Sequence, residues 1–209
     1  MTLKRICAYL IDSIIIFAII TLFSKIEILN PNTKEYNEAI NQYYEVYEDY
    51  MISIKNGGSE LINLQNQIND ISYSVSKNSI PTSILNIVIT ILYFVIFQYF
   101  NNGQTIGKRL LGIKIINKSK EKPTFTQILI RSIIIYGFVT TISSLVILSC
   151  CSKEVYFNTY TYLSSIESIL ILLSFVVMLF REDKRGLHDL IAGTSVIETK
   201  SLIKEIKEK

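Results

Sequence analysis

The chain has 209 residues, 49 % of them hydrophobic, a mean hydropathy of +0.35 and a formal net charge of +3. That charge is too small to argue for nucleic acid, and three cysteines, two of them the neighbours Cys150 and Cys151, make no disulfide framework. The apolar residues gather in long runs between strongly polar stretches, which points to a polytopic membrane protein rather than a soluble domain.

A bilayer core takes roughly 20 apolar residues of helix. The first such segment is Ile6 to Ser24, interrupted by Asp12. Lys4 and Arg5 precede it as in a signal peptide. Asp12 breaks the apolar region, however, and no small-residue cleavage site follows, so the segment reads as an uncleaved anchor.

Residues 25 to 83 are too many for a structureless loop. Tyr36, Ile40, Tyr43, Tyr47, Tyr50 and Ile54 recur at alternating steps of four and three. After Asn56-Gly57-Gly58, Leu61, Leu64, Ile68, Ile71 and Val75 do the same. Both stripes are helical, the glycines suit a turn, and Ser59 is a good N-cap. The expectation is an antiparallel helical hairpin standing outside the membrane. Its stripes either only glue the two helices together or leave a docking face of spare tyrosines such as Tyr44 with the acids Glu35, Glu38, Glu45, Glu48 and Asp49.

Ile84 to Phe100 is the second span and carries no charge; Gln127 to Ser149 is the third and carries Arg131; Ser164 to Phe180 is the fourth and carries Glu167. Glu167 is expected near the outer end of its helix, snorkelling or capping. The loop from Asn101 to Thr126 has six Lys or Arg against one acid, the segment from 25 to 83 has four Lys against eight acids, and the tail from Arg181 has seven Lys or Arg. The positive-inside rule then puts both termini in the cytoplasm of a multi-pass cell-membrane protein and the hairpin outside. The expected fold class is all-α, with four transmembrane helices, the hairpin and a small cytoplasmic β-ribbon. Residues 1–30 hold the first span, 31–80 the hairpin, 81–198 the remaining spans and 199–209 a polar tail; 1–30 and 81–198 form one membrane domain.

Three segments at the cytoplasmic side carry the distinctive chemistry. They are Arg5-x-x-Ala8-x-x-Ile11-Asp12, then Gly103-Gln-Thr-Ile-Gly107-Lys-Arg-Leu-Leu-Gly112 with Arg131 downstream, then Arg185-Gly-Leu-His-Asp189-Leu-Ile-Ala-Gly193-Thr. In this order they resemble the RDD family of bacterial and archaeal membrane proteins, whose arginine and two aspartates would be Arg5, Asp12 and Asp189. The resemblance covers nearly the whole chain except residues 25 to 83 and the tail. The chain departs from the shorter family pattern by that insert and a fourth span. The resemblance implies transport of an unidentified ligand.

Asp12, about two turns inside a span, should face the bundle or a water-filled cavity. Arg131, one turn into the third span, is its expected partner, and Arg5 lies seven residues before Asp12 on the same face. Two readings fit this arrangement: a structural ion pair that fixes helix packing, or a protonatable or cation-coordinating carboxylate in a pathway. Gly103 to Lys108 is not a phosphate loop, because the spacing is one residue short and Arg109 stands where Ser or Thr is needed. Lys108 and Arg109 are instead expected to meet lipid headgroups. Leu111 to Ile116 and Thr194 to Ile197 should pair as the ribbon, with Asp189 as a local organiser through Arg185, backbone amides or Arg5.

His188 is the sole histidine and makes no metal site with Asp183 and Asp189. No serine has a credible base within the membrane, so neither an enzyme nor a cofactor is expected. Two functions remain. One is transport of a proton, a small cation or another ligand past Asp12 and Arg131, which with four spans calls for a homo-oligomer. The other is a non-transporting scaffold that docks a protein partner through residues 34–77.

Overall fold

A computed structural model of the chain describes residues 1–199; the expected polar tail from Lys200 onward lies outside the described residues. The protein is mostly helical. Helix α1 is Thr2–Ser24, α2 is Thr33–Asn56 and α3 is Leu61–Asn78. After Ser79, α4 runs Ile80–Phe100 as one apolar helix with Pro81 in its first turn, where the missing N–H costs nothing. A short α5, Ile106–Leu110, leads into strand β1, Ile113–Asn117. Helices α6, Phe125–Ile135, and α7, Phe138–Cys150, are followed by α8, Lys153–Phe180, then α9, Leu187–Ala192, and strand β2, Thr194–Glu198.

Among the described residues, α1, α4 and α8 are long and apolar enough to cross a membrane, and α6 with α7 makes a fourth candidate if the bent pair counts as one span. The expected third span, Gln127 to Ser149, is therefore a broken helix, bent by 68° at Tyr136-Gly137. Gly137 has φ 69, which a residue with a Cβ adopts only under strain. Glu167 is not at an outer end: it lies in the middle of α8, against this bend, and a Cβ at Gly137 would sit 3.2 Å from its Oε2. Glu167 thus faces the start of α7, where the first N–H groups have no helical partner. Large apolar side chains such as Ile14, Phe17, Leu172 and Phe180 are exposed along the long helices. In water they would form sticky patches; against lipid they are solvated.

The hairpin forms as expected between α2 and α3, with its turn at Gly57. Its seam on α2 keeps Tyr36, Ile40, Tyr43 and Tyr50 of the expected stripe and adds Ala39 and Val46, with Ala39 and, on α3, Ile68 buried. Tyr47 and Ile54 lie one strip further round and are exposed together with Tyr44 and Met51. Small Ala39 lets the two helices approach closely, which the bulkier Tyr47 strip would not. Glu60 rather than Ser59 stands at the start of α3.

The fourth expected span extends backwards. Helix α8 begins at Lys153, not near Ser164, and the turn before it shrinks to Cys151 and Ser152. The added turns are covered by the hairpin: Tyr73 of α3 packs edge-on to Tyr156, its hydroxyl donates to the Cys151 carbonyl at 3.2 Å, and Lys153 pairs with Asp70.

At the opposite end β1 and β2 pair antiparallel, Ile115 opposite Val196, as the β-branched runs suggest. The ribbon's inner face, Ile113, Ile115 and Val196, packs on Ala8 of α1. Within α4, residues Leu92–Phe97 form a π-helical turn. It turns three consecutive side chains, Tyr93, Phe94 and Val95, into the interior. Phe94 stacks on Tyr136 at the bend, with ring centroids 3.8 Å apart.

Candidate functional site

Two buried carboxylates organise the ribbon end of the bundle. Asp12 is 1 % exposed. Its Oδ1 accepts from the Tyr93 hydroxyl at 2.6 Å and the Gly107 amide at 2.8 Å, and its Oδ2 accepts from the Thr105 hydroxyl at 2.5 Å. Thr105 also caps α5, accepting from the Lys108 amide. The backbone reaches Asp12 because α5 lies directly on α1: a Cβ at Gly107 would fall on the Ala8 carbonyl oxygen and 2.9 Å from Asp12 Oδ1.

The expected pair between Asp12 and Arg131 does not form. Arg131 instead bonds Asp189 Oδ1, with Thr194 Oγ1 at 3.4 Å. The reason is direction. A guanidinium one and a half turns into α6 reaches back toward the helix start, where α9 docks and presents Asp189. Asp12 stands over α5 and finds its donors there.

Asp189 is fully buried and shared. Besides Arg131 it accepts from Arg5 Nη2 at 2.6 Å, the Thr194 hydroxyl at 3.0 Å and the Gly186 amide at 3.3 Å. Arg5 also donates to the Lys184 carbonyl, while its Nε is buried without a partner. Arg185 does not touch the Asp189 carboxylate; it donates to the Asp189 and Thr194 carbonyls and fixes the loop into β2. One carboxylate thus ties α1, α6, α9 and the ribbon together.

Lys108 corrects a second expectation. It does not point to headgroups but is buried, its Nζ donating to Gln98 Oε1 at 2.8 Å. Burial and the neighbouring Arg131 guanidinium push its ammonium down to about 7. Arg109 remains exposed beside exposed Ile106 and Leu110.

Between α1 and α8 lies a cavity of about 430 Å³. Arg5, Asp12, Lys108, Arg131, Ser174 and His188 give it polar corners; the rest of its wall is mainly apolar, with Ile171 and Phe175 from α8. His188 Nδ1 lies 2.6 Å from Ser174 Oγ, and its Nε2 lies 3.3 Å from Asp189 Oδ2. The outline is that of a serine–histidine–aspartate triad, but its electrostatics oppose that chemistry. Burial and the charges of Arg131, Arg5 and Lys108 hold the imidazole down to about 2, so it is a poor base. The Asp189 carboxylate is already committed to two arginines.

The chain matches the RDD family over residues 2–193. It belongs to that family. Arg5, Asp12 and Asp189, which gave the resemblance, are the residues at the two nodes just described. Among curated proteins, this RDD chain is 30 % identical to Uncharacterized protein YckC of Bacillus subtilis (strain 168) over 109 residues, 52 % of the chain and 56 % of that protein. It is 28 % identical to Uncharacterized protein YxaI of the same organism over 118 residues, 56 % of the chain and 58 % of that protein. The matched segments thus span little more than half the length of each relative. No solved structure matches.

Sequence reasoning missed Tyr93, Gln98, Thr105, Thr194 and Ser174 as members of the site. Thr105 and Thr194 sit inside the quoted motifs, Thr105 between Gly103 and Gly107 and Thr194 directly after Gly193, so their placement was a usable signal. Tyr93 depends on the π turn, which leaves no mark in the sequence. Gly107 is testable directly. Gly107→Val is expected to lift α5 from α1 and break the hydrogen bond that the residue-107 N–H donates to Asp12, costing about 2 kcal/mol. The midpoint of thermal unfolding in detergent measures it; an unchanged midpoint would mean the close approach is not needed.

Proposed function

We propose that this RDD protein is a multi-pass protein of the cell membrane that takes part in moving a small ligand. The ribbon end and both termini face the cytoplasm, since the basic loops lie there, and the hairpin faces out. The single observation that carries the reading is the cavity of about 430 Å³ between two candidate spans, with charged side chains at its inner end. Buried charges in a membrane body are costly unless they serve a packing or ligand role. The donors around Asp12 are neutral and already bonded to it, so a proton or cation using it would have to displace at least one of three hydrogen bonds. A ligand in the cavity needs no such break. A homo-oligomer would close the lipid-facing side of α8, whose most apolar stretch is only 11 % buried.

The test is flux from proteoliposomes, read with a trapped pH dye under a proton gradient and then under sodium and potassium gradients. Flux above empty liposomes that falls when Ile171→Trp fills the cavity is the expected result. Flux no greater than that of empty liposomes under every gradient would overturn gradient-driven transport.

A second reading, a docking scaffold, is favoured by the exposed strip Tyr44, Tyr47, Met51 and Ile54 on α2. Its test is a cross-linked partner lost on deleting residues 34–77. No enzymatic role is proposed: with His188 so weak a base, Ser174 is expected to resist a fluorophosphonate probe that labels activated serines. Covalent labelling of Ser174, read by mass spectrometry, would reverse that view.

A further inference from the structure

The charges around the cavity do not balance. Arg5, Arg131 and the protonated form of Lys108, which an arriving anion would favour, bring three cations; Asp12 and Asp189 bring two carboxylates. Asp189 serves Arg5 and Arg131 together. Asp12 is engaged by hydroxyls and an amide. Lys108 is left with the neutral amide oxygen of Gln98, at 2.8 Å. Arg5 has a further N–H to give: its Nε is buried and unpartnered, on a side chain 9 % exposed. A buried donor without an acceptor costs stability unless something fills the gap.

Arg5 and Lys108 both line one cavity whose remaining wall is mostly apolar, Ile171 and Phe175 among it. A small hydrophilic anion would satisfy the donors but waste the apolar wall. A cation would meet an unbalanced positive field. A neutral apolar molecule would leave Lys108 and Arg5 as they are. A volume of about 430 Å³ falls within the range of roughly 300–1,000 Å³ typical of small-molecule sites.

We infer that the cavity binds an anionic amphiphile, a phosphate or carboxylate head against Lys108 and Arg5 with an apolar chain along α8. This rests on the ligand-handling reading above and gives it a substrate class. The head's charge cancels the surplus of the node, and the chain replaces lipid or water along Ile171 and Phe175. The same chemistry can come from a single-chain amphiphile or from a bilayer phospholipid.

The experiment is titration calorimetry of the full-length protein in a neutral maltoside detergent, with dodecyl phosphate as the probe. Inorganic phosphate and dodecanol are the controls. Saturable binding of dodecyl phosphate, with neither control binding, is expected. Lys108→Gln, which keeps a partner for Gln98, should weaken it roughly tenfold through loss of a charge-assisted contact. Arg109→Gln should leave it unchanged. Because a buried substitution can unfold the chain, Ile171→Trp gives a second arm: it leaves every head contact in place and should abolish binding by occupying the chain's space. Competition by phosphatidate in nanodiscs assigns the site to a bilayer lipid; its absence assigns a single-chain ligand. Binding of inorganic phosphate as tight as that of dodecyl phosphate would overturn the amphiphile, and binding indifferent to both Lys108→Gln and Ile171→Trp would overturn the site. Flux failing while this binding persists would sink transport alone.

Discussion

Asp189→Asn is expected to be the most damaging single substitution in the chain, costing about 3–5 kcal/mol, the range for removing one partner of a buried ion pair. The reason is geometric. The carboxylate is wholly buried and faces two guanidinium groups, a hydroxyl and an amide, all donors. An asparagine keeps one acceptor oxygen and turns an NH₂ group toward one of the arginines. Two cations would then share a buried site without their anion. Size-exclusion profile and thermal midpoint in detergent report the loss. The cycle with Arg131→Gln makes the claim specific: removing both partners should cost less than the sum of the single losses. Additive losses would show that Asp189 and Arg131 act separately, and a near-native midpoint for Asp189→Asn would remove the node as the clamp of the ribbon end.

What the sequence made legible follows from which signals are local. The hairpin was visible because α2 and α3 carry their own apolar periodicity and a glycine turn. Its seam was legible in Tyr36, Ile40, Tyr43 and Tyr50, but Tyr47 and Ile54 were wrongly included, and Ala39 was missed because a small residue weighs little on a hydropathy count while packing favours it. The ribbon between Ile113–Asn117 and Thr194–Glu198 was found from β-branched runs, although the strands lie far apart in sequence. The bend at Gly137 was lost because an apolar run of 23 residues looks the same whether the helix is straight or broken. The backward extension of α8 was lost because Lys153 and Glu154 read as a loop, and it is Tyr73 and Asp70 of the hairpin that cover those turns. The site divides the same way. Arg5, Asp12, Arg131 and Asp189 were all identified and all lie at the ribbon end. Their pairing was wrong because depth along a helix was inferred from sequence, whereas partnership depended on where α5 and α9 re-enter. Lys108 was misplaced for a related reason: in a basic loop its burial is invisible until α5 lies against α1.

Asp12→Asn is the second large effect, and its outcome separates the two readings of this carboxylate. Each hydrogen bond to a charged acceptor contributes about 1.5–3 kcal/mol, and three such bonds hold α1, α4 and α5 together at Asp12. Asparagine would set an NH₂ donor against Tyr93, Gly107 or Thr105, each of which is itself a donor there. A loss of about 3 kcal/mol is expected, close to one strong bond broken and one weakened. Thr105→Val removes the matching hydroxyl and the cap of α5, at about 1–2 kcal/mol, and the two changes together should cost less than their sum. A structural Asp12 predicts that flux and folded fraction fall in step as the variant is warmed. If Asp12→Asn protein keeps the native midpoint and elution volume yet carries no flux, the carboxylate belongs to the pathway itself. The three donors would then be gates that release it, and the structural account of Asp12 would have to be given up.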